Sequence, residues 1–127
     1  MHQQHPGLYF APSDKHRLGV FCTEDITHAS VIEICPVLII DADYAGNIVE
    51  GHPLYGYYFE WMEQEKALAL GYGSLYNHGA HPNTSFEIDY AHAHIIFRAT
   101  SDIPAGEEIL VDYHEGIPGK PLWFDVR

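Results

Sequence analysis

Two segments of the sequence hold most of the side chains that could take part in chemistry. Residues 73 to 83 read GSLYNHGAHPN and place an amide beside an imidazole, at Asn77 and His78. Residues 103 to 113 read IPAGEEILVDY and end on the phenol of Tyr113. Taken singly, a Tyr, Asn or His in a strand-rich protein usually belongs to the core or the surface. Their combination is a stronger signal than any one of them.

A hydrolytic site is a weaker interpretation of the same residues. Glu107 and Glu108 could form the paired carboxylates of a hydrolase. They follow a Pro-Ala-Gly turn, however, and turns of this kind lie at the surface. We therefore expect both carboxylates to be solvated.

A metal site is a further alternative, because the chain has ten histidines. Two pairs of them share a predicted strand face or a loop: His92 with His94, and His78 with His81. The helical His-Glu-x-x-His arrangement is absent, and no metal ligands are predicted. A small histidine-rich metal-binding protein remains an alternative that metal analysis of the purified protein would test.

Length and composition limit the fold that positions these groups. The chain has 127 residues, of which 46% are hydrophobic, and this fits a single domain with one core. We predict one domain over residues 1–127, with the motifs in about 17–113 and a short C-terminal tail at 114–127. Eleven glycines and eight prolines interrupt the chain throughout, which disfavours long helices.

Apolar and alternating runs predict about eight short strands with little helix, a β-rich fold. The runs are Leu8 to Phe10, Leu18 to Cys22, Val31 to Ile40, Ala67 to Leu70, Thr84 to Asp89, His92 to Arg98 and Glu108 to Val111. Residues 54–62 are ambiguous between a strand and a short helix, and residues 41–53 read as a loop. Pro36 predicts an irregularity within its strand. The Tyr90-Ala91 junction predicts a tight hairpin.

Charge and cysteine content restrict the partners and the compartment. The formal charge of −12 disfavours direct binding to nucleic acid or an anionic membrane and favours basic peptides. No run approaches the roughly 18 apolar residues of a membrane span, and the first residues, with His2, Gln3, Gln4 and His5, do not form the apolar core of a secretory leader. We expect an intracellular protein, in the cytoplasm. Cys22 and Cys35 are predicted to be reduced core thiols. The sequence is also compatible with a homodimer.

In order and spacing, three segments together resemble the SET domain. They are RLGVF at residues 17–21 and the two segments at 73–83 and 103–113. In its brevity the chain is similar to minimal viral and bacterial SET proteins. The resemblance implies small curved sheets and a C-terminal pseudoknot, in which the segment before Tyr113 threads beneath a loop of the Asn77-His78 region. It also implies methyl transfer from S-adenosylmethionine to lysine side chains of a basic protein, such as a histone or histone-like tail. If the substrate is a eukaryotic histone, the nucleus is the alternative compartment.

The resemblance assigns roles to particular residues. The implied cofactor-binding residues are Leu18, Gly19, Val20, Asn77, His78, Tyr113 and Trp123. Within this set, the backbone around Gly19 would meet the methionine part of the cofactor, and Asn77 and His78 would hold its amino group and adenine. Trp123 or Phe124 would close the site, since the tail lacks the cysteines of a zinc segment.

For the reaction itself, the resemblance implies that Tyr113 is catalytic and positions the lysine amine. Phe86 would border the lysine channel. Ile34 stands where many members have a second active-site tyrosine, and Tyr57 could supply that hydroxyl as a catalytic and substrate-binding residue. Gly79 stands where many members have serine. The departures at Ile34 and Gly79 leave open an alternative, a catalytically inactive SET-like module that binds peptide or cofactor.

Overall fold

Strands dominate the part of the chain that the computed structural model describes, which is residues 3–15, 17–49 and 51–113. The ten strands are β1 (Gln3–Gln4), β2 (Leu8–Pro12), β3 (Leu18–Cys22), β4 (Val31–Ile40), β5 (Tyr58–Glu60), β6 (Lys66–Ala69), β7 (Asn77–His78), β8 (Thr84–Asp89), β9 (His94–Ala99) and β10 (Leu110–Val111). One short α-helix, α1 (Ala42–Ala45), and two single turns of 3-10 helix, Tyr55–Tyr57 and Met62–Gln64, complete the elements. The predicted mainly β fold is confirmed. In this part of the chain, no helix is long and apolar enough to cross a membrane.

The strands form two sheets. Strands β2 and β3 make a hairpin, in register from Leu8 opposite Cys22 to Pro12 opposite Leu18. The larger sheet has the order β5-β6-β4-β9-β8-β10-β7, with β1 paired to β4 beside this path. In β9, Ile95, Phe97 and Ala99 are buried and alternate with partly exposed residues, as expected where one face of a strand covers a core.

The long strand β4 lies inside the larger sheet, and this explains its apolar sequence. It pairs antiparallel with β9 along its first part and with β6 along its second. The prediction of an irregularity at Pro36 is wrong, because the register shifts between Val31 and Glu33 and Pro36 stays opposite His94. The Val37 N–H donates to the Ala93 carbonyl, on the β9 side of the strand. Because neighbouring residues of a strand direct their nitrogens to opposite sides, the nitrogen of Pro36 points toward β6, and the pairing of β4 with β6 begins only at Val37.

Three further local predictions need correction. Residues 41–53 contain α1, whereas a loop was expected. Residues 54–62, which the sequence left open between a strand and a short helix, form both a 3-10 turn and strand β5. The β8–β9 connection is residues 90–93, longer than the predicted two-residue hairpin, because the Asp89 carboxylate accepts the His92 N–H and extends the turn. His92 therefore lies in a turn and does not share a strand face with His94, although their rings stack with centroids 6.1 Å apart.

Strand β10 is inserted between two strands that precede it in the chain. It runs parallel to β7 on one side and to β8 on the other, and residues 79–83 connect β7 to β8 past it. The predicted pseudoknot is confirmed. Gly79 lies against Leu110, where an added Cβ would approach the Leu110 side chain to 2.8 Å. Asn83 holds the threaded segment by donating to the Glu108 carbonyl (2.9 Å) and accepting from the Leu110 N–H (2.9 Å).

One hydrophobic core lies beneath the larger sheet and includes both cysteines. Cys22 and Cys35 are buried and form no disulfide, as predicted. Burial, and then the charge of nearby Glu33, raises the pKa of the Cys35 thiol, so this thiol stays protonated and unreactive.

We predict that Asn83→Ala lowers the free energy of unfolding by about 2–3 kcal/mol, because it leaves two partly buried backbone groups of the threaded segment without partners. Urea unfolding monitored by circular dichroism measures the change. Asn47→Ala, an exposed asparagine, serves as a control and should change stability by less than about 0.5 kcal/mol. Equal losses in the two variants would contradict the role of Asn83 as a clamp.

Candidate active site

A cleft of about 370 Å³ brings together side chains that lie far apart in the sequence. It opens where the start of β3, the first 3-10 turn, strand β7 and the end of the threaded segment meet. Five of the predicted site residues line it: Leu18, Tyr57, Asn77, His78 and Tyr113. Its volume lies within the range of ordinary small-molecule sites.

Tyr113 lies in the wall of the cleft with only 5% of its surface exposed. Its hydroxyl donates to the backbone carbonyl of Tyr76 at 2.7 Å, and its ring packs against Phe59 and Phe86 with centroids 5.7 and 5.6 Å away. Burial raises the pKa of Tyr113 far above its ordinary value. The group therefore remains a neutral phenol at physiological pH and can orient a ligand without acting as a phenolate base.

A buried carboxylate supports the segment that holds Tyr113. Glu33 has no exposed surface and accepts hydrogen bonds from the Tyr76 hydroxyl (2.7 Å), the Tyr72 N–H (3.1 Å) and the Gln4 side chain (2.8 Å). Burial, and then the charge of Glu33, raises the pKa of the Tyr76 phenol, so its proton stays in this bond. Sequence reasoning assigned no role to Glu33 or Tyr76. The available signal was a charged residue within the apolar run of β4.

A second carboxylate organises Asn77. The Asn77 amide nitrogen lies 2.8 Å from Glu108 Oε2 and 2.9 Å from the Leu18 carbonyl oxygen, and Ser13 donates to the other oxygen of Glu108 at 2.6 Å. The prediction that Glu107 and Glu108 are both solvated is therefore wrong for Glu108, which is half-buried, and holds for Glu107, which is exposed. The threading of the adjacent β10 carries Glu108 inward.

His78 lines the cleft on the strand edge facing Tyr113. Its Nδ1 accepts the Tyr113 backbone N–H at 3.3 Å, and the two rings stack with centroids 6.4 Å apart. Because Nδ1 is the acceptor, a neutral His78 carries its proton on Nε2.

Gly19 and Val20 are buried and do not line the cleft. An added Cβ at Gly19 would collide with the Glu108 carboxylate. A side chain at this position would therefore displace the Glu108 carboxylate, so the glycine has a packing role within the protein.

The remaining predicted site residues differ in their relation to the cleft. Phe86 is half-buried and reaches the site through its ring contact with Tyr113, without lining the cleft itself. Trp123 and Phe124 lie outside the described residues. Arg17 belongs to the RLGVF motif, but no role was predicted for it. It lines the cleft, and among the described residues it is the cationic side chain of the cleft.

The part of the chain that the structure describes contains no group of three or more His, Cys, Asp or Glu side chains that could hold a metal ion. His92 instead pairs with Asp89 at 2.9 Å on the surface.

The threaded sheet and the cleft walled by a buried tyrosine define a small β-rich ligand-binding domain, and comparison with known proteins specifies its family. The SET-domain family model matches residues 17–114. The chain is 34% identical over 118 residues to a histone-lysine N-methyltransferase specific for H3 lysine 37 from Schizosaccharomyces pombe, covering 93% of this chain and 77% of that protein. A crystal structure of a Plasmodium falciparum protein, provisionally assigned as a histone methyltransferase, matches with a TM-score of 0.71 and 33% identity over 87% of this chain and 94% of that one. The chain belongs to the SET-domain family, and its enzyme class is protein-lysine methyltransferase.

We predict that the free energy of unfolding falls as the pH rises above about 10, the ordinary pKa of tyrosine. Tyr76 and Tyr113 have raised pKa values in the folded protein, so the unfolded chain loses these protons first and high pH favours unfolding. One proton contributes at most about 1.4 kcal/mol per pH unit, and this limit is reached only well above pH 10, so between pH 9 and 11 Tyr113→Phe should make the average slope shallower by roughly 0.7 kcal/mol per pH unit. Urea unfolding between pH 9 and 11 measures it.

Tyr44→Phe is the matched control, because Tyr44 is 69% exposed and the variant loses the same hydroxyl. It should reproduce the wild-type slope. A Tyr113→Phe slope identical to that of the wild type would show that Tyr113 is not a buried neutral phenol.

Proposed function

We propose that this protein transfers a methyl group from S-adenosylmethionine to the lysine side chain of a basic protein, with a histone tail as the substrate. The observation that carries the proposal is Tyr113, a buried neutral phenol whose hydroxyl is oriented by the Tyr76 carbonyl at the wall of the cleft. Family membership makes S-adenosylmethionine the expected cofactor.

The residues of the cleft fit this cofactor. Arg17 matches its carboxylate, since guanidinium groups bind carboxylates well. Asn77 is 92% buried and its amide oxygen accepts no hydrogen bond from the described part of the chain, so the cofactor's amino group would satisfy an otherwise unpaired acceptor. Leu18 and His78 line the same cleft, and we assign them, with Gly19 and Val20 behind them, to the binding of the cofactor.

When bound, S-adenosylmethionine supplies an electrophilic methyl group on a sulfonium centre. The lysine that accepts it must be neutral, although free lysine has a pKa of about 10.4. The ring of Tyr113 forms an apolar part of the cleft wall, with Phe59 and Phe86 packed against it, and desolvation beside this ring would disfavour an ammonium and lower the pKa of an entering lysine. Tyr113 directs its own proton to Tyr76 and so offers its oxygen to an amine N–H, which orients the nitrogen for attack.

Tyr57 and Phe86 are the residues we assign to the lysine channel. Tyr57 lines the cleft together with Tyr113. This supports the idea that the Tyr57 hydroxyl takes the place of the second active-site tyrosine, whose position in this chain is occupied by Ile34. Phe86 contacts the Tyr113 ring from the side of the core. We assign closure of the site to Trp123 or Phe124, which remains a prediction from the sequence.

The choice of a histone tail is supported by two observations. The S. pombe relative is a histone-lysine methyltransferase, and histone tails are strongly basic, whereas this chain has a charge of −12. Three statements stay predictions from the sequence. They are that the protein binds neither nucleic acid nor membrane directly, that it forms a homodimer, and that its compartment is the cytoplasm or the nucleus.

An inactive binding module is the rival function, and its support is now smaller. Gly79 was one of the two departures from the family pattern that motivated this rival. The glycine has a local steric explanation, however, because a side chain at this position would meet Leu110. The departure at Ile34 remains.

The direct test incubates the protein with isotopically labelled S-adenosylmethionine and purified core histones, followed by mass spectrometry of the modified lysines. Labelled methyl-lysine is the expected result. Cofactor binding without transfer to histones or other basic proteins would favour the binding module.

Tyr113→Phe should lower single-turnover methyl transfer by about 10²–10³-fold, because it removes one preorganised polar group from a water-poor site. The ring and its packing remain, so calorimetric cofactor affinity should change less than about threefold, within the range of conservative core changes. Tyr72→Phe removes a hydroxyl outside the cleft and is the matched control, with transfer near the wild-type rate. Unchanged transfer by Tyr113→Phe would remove Tyr113 from the mechanism.

Phe86→Tyr should shift the products toward lower methylation states, because a hydroxyl beside Tyr113 would crowd the amine or hold a water there. Mass spectrometry of a peptide after exhaustive reaction gives the mono-, di- and trimethyl fractions. Phe10→Tyr, an exposed phenylalanine, controls for the added hydroxyl. Identical fractions in Phe86→Tyr and the wild type would place Phe86 outside the channel.

A further inference from the structure

We propose that Glu108 is a positioning residue that fixes the orientation of the Asn77 amide, so that the cleft offers an oxygen acceptor and selects ligands that carry an amino group. The inference rests on the proposed function, since the ligand considered is the cofactor. It concerns how this chain distinguishes an aminated ligand from one of nearly the same shape.

The amide nitrogen of Asn77 is held by two acceptors from different parts of the chain. Glu108 Oε2 lies 2.8 Å from Nδ2, and the Leu18 carbonyl oxygen lies 2.9 Å from it. Ser13 Oγ, at 3.2 Å, completes the surroundings of this nitrogen. Three segments, the β2–β3 hairpin, β7 and the threaded segment, thus meet at one amide.

The chemistry of these partners determines which end of the amide faces them. A carboxylate and a peptide carbonyl only accept hydrogen bonds, so an amide turned over would direct its oxygen at two acceptors. Repulsion between the oxygens and the loss of both bonds in a largely buried place would oppose that orientation. The nitrogen therefore faces Glu108, and Oδ1 takes the opposite position.

The oxygen left by this arrangement is an acceptor without a donor in the described part of the chain. Asn77 is 8% exposed and lines the cleft. Buried polar atoms of folded proteins are nearly always hydrogen-bonded, so a partner is expected from the ligand. Asn77 Oδ1 fits an N–H donor, and an ammonium best of all, because hydrogen bonds to charged groups are the stronger ones.

Glu108 is itself held firmly enough to act in this way. Ser13 donates to its Oε1 at 2.6 Å, and Gly19 leaves the space that its carboxylate occupies. Its backbone carbonyl accepts from Asn83 at 2.9 Å, inside the pseudoknot. The carboxylate therefore has one position relative to Asn77.

The first measurement compares two ligands on the wild-type protein by calorimetry. One is S-adenosylhomocysteine, the demethylated form of the cofactor, and the other is 5′-S-(3-carboxypropyl)-5′-thioadenosine, which differs by lacking the amino group. We expect the aminated ligand to bind about 10- to 100-fold more tightly, the ratio that a hydrogen bond to a charged group supports. Equal affinities would overturn the inference, and this result does not depend on any variant folding.

The second measurement repeats the comparison on Glu108→Gln. A glutamine of the same shape can also donate to Asn77 Oδ1, so only the Leu18 carbonyl still favours the original orientation and the turned-over amide becomes accessible. The preference for the aminated ligand should fall to about threefold or less, while the affinity for the deaminated ligand stays near the wild-type value. Glu107→Gln, the exposed neighbour with the same change of charge, is the control and should keep the wild-type preference.

The outcomes separate this inference from the proposed function. If the wild-type protein binds neither ligand at millimolar concentration, the assignment of the cofactor fails. If it binds both and Glu108→Gln keeps the full preference, the cofactor assignment stands and Glu108 is not the positioning residue. A loss of affinity for both ligands by the same factor would show a general structural role and would also overturn the inference.

Discussion

The passage of β10 between β7 and β8 is the constraint on which the rest of this structure depends. Parallel pairing on both sides and the Asn83 clamp fix where the threaded segment lies. That placement brings Tyr113 to the wall of a cleft that β7 also lines, and it brings Glu108 against Asn77. Residues 79–83 can pass the strand only with a small residue at 79, because Leu110 occupies the space where a side chain would lie.

Two carboxylates organise the site from opposite ends of the sequence. Glu33 accepts from Tyr76, whose backbone carbonyl in turn accepts from Tyr113, and Glu108 accepts from Asn77. In both cases a group that only accepts determines the direction of a neighbour that can donate. These bonds are buried or partly buried, and they hold Tyr76 and Asn77 in position before a ligand enters the cleft.

The neutral state of Tyr113 limits what chemistry the SET fold performs here. A phenol kept protonated by burial does not remove the proton of lysine, so the chain contributes orientation and an apolar environment. Methyl transfer is suited to a site that supplies only orientation and an apolar environment, because a neutral amine needs only alignment with its electrophile. The acidity of the whole protein complements a basic substrate on approach and leaves the cleft chemistry unchanged.

The amino-acid sequence by itself determined the β-rich fold class, the bounds of β3 and β4, and the three motifs that identify the SET family, because these depend on local residue pattern and order. Through the resemblance to that family it also implied that Asn77, His78 and Tyr113 form one site. Only the tertiary structure decided that Glu108 faces inward, that Glu33 supports Tyr76, and that Gly19 makes room for a carboxylate. Those roles arise from contacts such as Glu108 with Ser13, which lie 95 positions apart, and no local pattern specifies such partners. The same reason explains the errors at Pro36 and His92, since sheet pairing and turn length depend on neighbouring strands as much as on the residue itself.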